Sequence, residues 1–292
     1  MANILAIGIA TLDIINVVAA YPEEDSEIRA LSQQQSRGGN ATNTLTVLSQ
    51  LGHHCYWGGI LINEADSQVI KDDLALSNID TRYCQQLADG KMPTSYISLN
   101  QSSGSRSIVH YRDCPEFSFA EFVKIDLSSF DWLHFEGRNI ADTAKMLHYV
   151  KQHFPTLSCS LEIEKPRADI EDLFSLADVL LFSRQYAQSR GFNDASHFLN
   201  SLTANQIATC AWGQQGAWLK TADGHIQHSD SFSPPHVIDT LGAGDTFNAG
   251  FIHGLVNNTK ATIALSHACQ LAGHKCGQTG FANLMTNFHF QS

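Results

Sequence analysis

The run Asp239-Thr240-Leu241-Gly242-Ala243-Gly244-Asp245-Thr246-Phe247-Asn248 leads directly into a segment of helical character that continues to Val256. Glycines at 242 and 244 leave the neighbouring backbone N–H groups unobstructed, so an anion can approach the main chain closely. The start of the helix adds unpaired N–H groups and the positive end of the helix dipole. Asp245 stands at the rim of that nest. Phosphate repels a carboxylate, so Asp245 is better suited there to taking a proton than to binding the anion. Together these features describe group transfer: a phosphoryl group is held while an incoming hydroxyl is deprotonated. Taken alone, the run is equally open to being a glycine turn capped by an aspartate.

Composition narrows the setting. The chain has 292 residues, 43% of them apolar and 16% charged, enough for a full core. An α/β fold of this length is expected to form one domain over residues 1–292. With 18 basic and 29 acidic residues the formal charge is −11, which repels nucleic acid and anionic lipid; neither is an expected partner. The phosphate site must then be locally positive against a negative whole. Met1-Ala2-Asn3 has no basic flank, so no secretory signal is expected. Asp13 and Asn16 interrupt the early apolar runs far short of a membrane span. Seven cysteines, an odd number without a C-x-x-C pair, point to reduced thiols and a cytoplasmic location.

Working outward, Ile4–Ile9 is a short, branched apolar run expected as a buried strand. Ile14–Ala19 and a segment near Glu27–Leu31 are expected as strands around the Tyr21-Pro22 turn, and Gly39–Leu51 as a helix. Tyr56–Leu61 is strand-like and Glu64–Leu76 helical. Ser95–Asn100 and Arg106–Arg112 flank Gln101-Ser102-Ser103-Gly104, a hairpin signal. From Trp132 strands and helices alternate. Strands are expected at Trp132–Phe135, Leu157–Ile163, Val179–Phe182 and Ile207–Ala211, helices at Ala141–His153, Asp169–Leu176 and Asp194–Leu202. That rhythm implies a mainly parallel central sheet flanked by helices on both faces. Gly216–Lys220 and His225–His228 form a late hairpin, and the helices Asp245–Val256 and Lys260–Lys275 close the chain. The strands within 14–31 and 95–112 fall outside this rhythm and suggest a small β-sheet, either a lid over the substrate site or a plain edge sheet.

Several spaced runs share one resemblance. The Gly242–Asp245 run is similar to the C-terminal signature of the ribokinase-type (PfkB) carbohydrate kinases. Arg37-Gly38-Gly39-Asn40-Ala41-Thr42-Asn43 is similar to their N-terminal signature. Further runs resemble the ketohexokinase branch of that family: Tyr21–Arg29, His134–Asn139, Glu162–Arg167, Cys210–Trp212 and Cys269–Gly277. The resemblance spans residues 5 to about 281 in family order. It implies a ribokinase-like fold with a β lid, ATP with Mg2+, and phosphorylation of a ketohexose such as fructose at its first carbon. It also implies a homodimer through the lid, with Asp25 reaching the neighbouring sugar site. Another ketose, a pentose or a nucleoside as acceptor stays open, as does a sugar or nucleotide sensor without catalysis.

The family's sugar site falls on Asp13, expected at the carboxyl end of the first strand where open α/β sheets place ligands, and on Gly39, Asn40 and Asn43. A carboxylate can accept from two vicinal hydroxyls, and two carboxamides three residues apart lie on one helix face, able to donate and accept toward one sugar. Asn40 as a mere helix cap and Asp13 as a turn residue are the plainer alternatives. Asp245 is the expected catalytic base, with the amides of Gly242, Ala243 and Gly244 holding developing charge. Gly213, Gly216, Gly242, Ala243, Gly244 and Asn248 are expected on the nucleotide side. Arg106 is expected to neutralise phosphoryl charge. Cys276 falls where relatives line the adenine pocket, though packing explains it as well. Lys165 and Arg167 suit either the phosphates or surface ion pairs. Many relatives carry Asn-x-x-Glu where this chain has Ser183-Arg184-Gln185-Tyr186, so no direct metal ligand is assigned; Glu164 is a candidate contact to Mg2+ through water. Gly213-Gln214-Gln215-Gly216 lacks the acidic pair of the ketohexokinase branch. The fourteen histidines show no metal-ligand spacing.

Overall fold

The computed structural model describes residues 1–203 and 206–291. In chain order, β1 (Asn3–Ile7), β2 (Thr11–Val18) and β3 (Ser32–Gly38) precede α1 (Asn40–Gln50). Then come β4 (His54–Gly58), β5 (Ile60–Ile62), α2 (Ala65–Leu76), β6 (Ile79–Asp80), β7 (Gln85–Leu87), β8 (Lys91–Asn100), β9 (Arg106–Asp113) and the single turn α3 (Phe119–Phe122). The alternating part runs β10 (Trp132–Glu136), α4 (Ile140–His153), β11 (Ser158–Ile163), β12 (Val179–Ser183), α5 (Arg184–Ser189), α6 (Ala195–Ser201) and β13 (Ile207–Ala211). A hairpin of β14 (Ala217–Lys220) and β15 (Ile226–Ser229) leads to α7 (Ala243–Val256) and α8 (Ala261–Cys276).

Nine strands form the main sheet in the order β15-β14-β13-β12-β11-β10-β1-β4-β6. The seven from β13 to β6 pair in parallel, and the β14–β15 hairpin adds an antiparallel edge. The central strands are covered on both faces, so β1, β10 and β12 read as apolar runs without alternation. A second sheet of four strands, β3-β2-β8-β9, stands apart. Its middle pair, β2 with β8, is parallel, and the two outer pairs are antiparallel.

The small sheet is the expected lid, with different bounds. Its first part is 11–18 and 32–38, not 14–31, and its second is 91–113, not 95–112. Glu27–Leu31 is an exposed loop, and the strand starts only at Ser32. Ser32-Gln33-Gln34-Gln35 is polar at every position and exposed, so no apolar alternation marks it. Tyr56–Leu61 is two strands broken at Gly59. Asp169–Leu176 forms only a short 3-10 turn, Ile170–Leu173, entered through Asp169 in the left-handed region at φ 62°. Helix α5 lies where none was expected. Ser183 starts it, its Oγ accepting from the Tyr186 N–H at 3.0 Å. Among the described residues no helix is long and apolar enough to cross a membrane, and all seven cysteines are free.

Candidate active site

The parallel strands β1, β10 and β11 end side by side, where open α/β sheets place ligands. A cleft of about 1730 Å3 opens there beneath the lid sheet, and every site residue named from the sequence lines it. Asp13, Gly39, Asn40 and Asn43 share its lining with Gly213, Gly216, Cys276 and the Gly242–Asp245 turn.

Asp13 is not at the end of β1. It sits inside β2, in the lid sheet, and its Oδ1 accepts from Thr11 Oγ1 at 2.9 Å. The carboxylate expected at the sugar is therefore carried by the lid. Gly39 begins α1 at φ 107°, and a Cβ there would meet the Ile9 carbonyl at 2.2 Å. The glycine thus serves the crossing of two backbone segments rather than ligand approach. Asn40 is the first residue of α1, not its cap. Its Nδ2 donates to Glu162 Oε1 at 3.1 Å and Glu164 Oε2 at 3.0 Å, which leaves its oxygen for a ligand. Asn43 is arranged the opposite way. Its Oδ1 accepts from Arg37 at 2.9 Å and its Nδ2 donates to Asp245 Oδ2 at 2.8 Å. The pair therefore does not offer two equivalent carboxamides to a sugar: Asn40 keeps an acceptor and Asn43 a single N–H.

Asp245 lies in the first turn of α7, which starts from Gly242 in the left-handed conformation at φ 76°. The space in front of Gly244 is open, as an anion nest requires. Asp245 is buried, and that burial pushes its carboxyl up to about 7; nearby Glu164 and Glu136 push the same way, while the Asn43 hydrogen bond and Arg37 oppose them. A carboxylate tuned to neutrality is suited to general-base work. The turn ahead of α7 is anchored from below. Lys275, wholly buried, donates to Asp239 Oδ2 at 2.7 Å and to the Asp239 carbonyl at 2.9 Å. Asp239 also accepts from the Leu241 and Gly280 N–H groups, and these partners hold its carboxyl below the usual range despite burial.

Two carboxyls missed from the sequence complete the floor. Glu162 on β11 accepts from Asn40 and, at 3.2 Å, from Asn248, both at Oε1, while its buried Oε2 has no partner. Burial first, then Asp245, drives its carboxyl well above the ordinary range. Glu136 ends β10 and accepts from the Ile9 N–H at 3.1 Å; burial raises it too. An acid inside an apolar strand run, as in HFEG or SLEI, was the available signal. Asn248 thus faces Glu162, deeper than the nucleotide contact expected of it. Four cations, Arg106, Arg138, Lys165 and Arg167, also line the cleft. Lys165 also pairs with Glu164 at 3.4 Å, and Arg138 with Glu116 at 3.0 Å. Tyr186, in the stretch that replaces Asn-x-x-Glu, is core; its hydroxyl donates to Glu171 at 2.8 Å. Among the described residues no group of three or more His, Cys, Asp or Glu side chains is placed to hold a metal ion.

The pfkB family carbohydrate kinase profile matches residues 1–287. Mouse (Mus musculus) ketohexokinase is 42% identical over 97% of this chain and 99% of its own length. Among solved structures, ribokinase from Giardia lamblia superposes with a TM-score of 0.83 at 16% identity, covering 97% of each chain. Arabidopsis thaliana ribokinase complexed with ribose and ATP gives 0.78 at 18% identity, covering 96% of this chain and 94% of that one. Those structural likenesses carry the ribokinase-like fold, a large parallel sheet with helices and a separate lid. With the match over nearly its whole length and the cleft behind the glycine turn, the chain belongs to the pfkB family of carbohydrate kinases and is an ATP-dependent sugar kinase.

Proposed function

We propose that the chain phosphorylates D-fructose on its C1 hydroxyl, giving fructose 1-phosphate and ADP. One observation supports the site assignment: a single cleft is lined by the proposed sugar residues, the proposed base and the proposed nucleotide residues together. The ketose rests on the 42% identity to mouse ketohexokinase. Fructose would lie between Asp13, Gly39, Asn40, Asn43 and Asp245. Asp245, poised near 7, takes the proton as the hydroxyl attacks the γ-phosphate of ATP. The Gly242, Ala243 and Gly244 amides stabilise the charge that develops on the transferring group. Arg106 approaches the same charge from the lid, and Gly213, Gly216 and Cys276 border the nucleotide end.

Mg2+ fits this arrangement as an ion that arrives with the nucleotide phosphates and retains water, with Glu164 able to reach it through one of them. Bound so, it would supply charge neutralisation to the phosphates. The floor of carboxyls selects an uncharged acceptor, because a sugar phosphate would meet Asp13, Asp245 and Glu164 together. Fructose is therefore expected to exceed fructose 6-phosphate and fructose 1-phosphate in kcat/KM. ADP release measured across fructose, tagatose, ribose, glucose, both fructose phosphates and adenosine tests this, with NMR placing the phosphate on carbon one. A preference for either phosphorylated sugar sinks the assignment.

The homodimer is also a proposal. Of the residues expected to need cover, Ile97 is already buried and Ile108 faces the cleft. The opposite face of the lid instead presents Tyr96, Val109 and Tyr111, which are 47%, 69% and 56% exposed, for a partner lid. Asp25 lies in the exposed 19–31 loop beside that sheet, at φ 59°.

A further inference from the structure

Arg37 has no chemical role in the scheme above, yet it is among the most completely satisfied buried groups of the cleft. It lies in the last turns of β3, on the lid sheet, with its side chain 3% exposed. Nε donates to Asp73 of α2, Nη1 to Thr42 Oγ1 at 2.8 Å and to Asn43 Oδ1 at 2.9 Å, and Nη2 to Thr46 Oγ1 at 2.7 Å. A guanidinium only donates. Whatever it touches on Asn43 must be the oxygen, so the NH2 group must face the other way. The other way is Asp245, at 2.8 Å.

We propose that Arg37 is the positioning residue of the proton acceptor, locking the Asn43 carboxamide so that its N–H is presented to Asp245 Oδ2. This rests on Asp245 being the base. The arrangement has two consequences. An amide free to rotate could offer its oxygen to the carboxylate, which would hold the proton more tightly and misdirect the lone pair that takes the proton. The locked amide can only donate, which favours the ionised, competent form. The guanidinium charge acts in the same sense through space. Asp245 is otherwise faced by Glu136 from β10 and by Glu162 and Glu164 from β11 and the turn after it, all of which favour protonation. Arg37 is thus the positive counterweight reaching the base from the lid.

The experiment compares Arg37→Met and Arg37→Lys with the parent enzyme, using the sugar accepted in the acceptor panel. The pH dependence of kcat/KM, the KM for ATP and the melting temperature are recorded. Arg37→Met is expected to move the acidic limb upward by about one unit, so that kcat/KM at pH 7 falls roughly fivefold and recovers toward pH 9. KM for ATP stays within about twofold, since the Gly242–Gly244 amides are untouched. Arg37→Lys places one ammonium against Asp73 and leaves Asn43 without its donor, so its limb shifts in the same direction but less. Thr46→Val removes one anchor and keeps the charge and the Asn43 bond; its limb is expected to stay in place even where its melting temperature drops. Should Arg37→Met not fold, the Lys and Val variants decide. Lowered melting temperatures with every acidic limb at the parent position overturn the proposal and leave Arg37 as packing. Failure of the underlying assignment looks different: Asp245→Asn would then retain activity, whatever the Arg37 variants do.

Discussion

The two larger sheets of this protein are built by opposite rules. The nine-stranded sheet is buried on both faces, and its central strands carry Ile4, Leu5, Leu133, Phe135, Leu161 and Leu180 at or near zero exposure. The four-stranded lid sheet has one face over the cleft and the other in solvent, with β9 exposed along most of its length. Polar residues inside the first sheet are few and buried, as at His134, Ser160 and Thr209, and its acids stand toward the strand ends, where Glu136 and Glu162 form the floor. On the second they are spread through the strands: Asp13, Ser95 and His110 stand in one row across β2, β8 and β9. The body holds chemistry at fixed points in a rigid frame. The lid contributes residues that approach the ligand from a marginal sheet.

The sharpest way to strain this contrast is to change one atom group in the body. Asp245→Asn retains size but not the proton-accepting charge. A loss of roughly 10²–10⁴ in kcat is expected, about 3–5 kcal/mol, with ATP binding and the fold intact. More than about a tenth of the parent kcat would place the base elsewhere.

A truncation in the body's core comes next. Leu5→Ala, at 0% exposure in the middle of the main sheet, should cost about 2–5 kcal/mol in chemical denaturation. A cost below about 1 kcal/mol would mean that the centre of the main sheet is no better packed than the lid.

A third test uses pH. The Asp245 carboxyl is raised from 3.8 to about 7 in the folded chain, so the native state binds a proton that the unfolded chain has released. The stability linked to that proton is fully present below about pH 3.8 and lost as pH rises through about 7. Asp245→Asn carries no such proton. Its melting temperature should therefore gain on the parent as pH rises across this window, by about 2–4 °C for each kcal/mol. A constant difference from pH 4 to 8 would show that the carboxyl is not perturbed.

The smallest effect is expected on the outer face of the lid. Val109→Ser should change monomer stability by no more than about 0.5 kcal/mol. In sedimentation it should nevertheless shift a dimer toward monomer at micromolar concentration. Monomer alone in the parent protein under those conditions would remove the proposed dimer.

The same contrast explains what could be read from the chain. The βα rhythm after Trp132 was legible because a strand buried on both faces needs an unbroken apolar run, and Val179–Phe182 or Ile207–Ala211 can hardly be anything else. The glycine turn and Asp245 were legible because close anion approach restricts residue type. In contrast, β3 was placed too early because Gln33-Gln34-Gln35 buries nothing, and its pairing with β2 rests on backbone bonding and one exposed side-chain bond, from Gln33 Nε2 to Asn16 Oδ1 at 2.8 Å. Asp13 was assigned to the wrong strand for a related reason: the three residues Gly8-Ile9-Ala10 that separate β1 from β2 look like a continuation of either. The paired use of Asn40 and Asn43 was beyond the sequence, since which amide atom remains free depends on Glu162, Glu164 and Arg37 from distant segments.

The lid's parallel pairing of β2 with β8, which sets Leu12 beside Thr94, has a further meaning for how the molecule comes to exist. Each half of the lid is an antiparallel pair of successive strands, but the two halves meet only through β2 and β8, which are separated by β3, α1, α2 and four strands of other sheets. As the chain leaves the ribosome, the β2–β3 pair must wait with the far edge of β2 open until residue 100 has emerged. The β9 strand must follow before the last edge is covered. Closure of so long a loop is slow relative to local structure, and waiting strand edges invite wrong partners. The polar, exposed Ser32–Gln35 run of β3 keeps the outer edge of that waiting pair soluble, so the residues least informative about the fold safeguard the route to it.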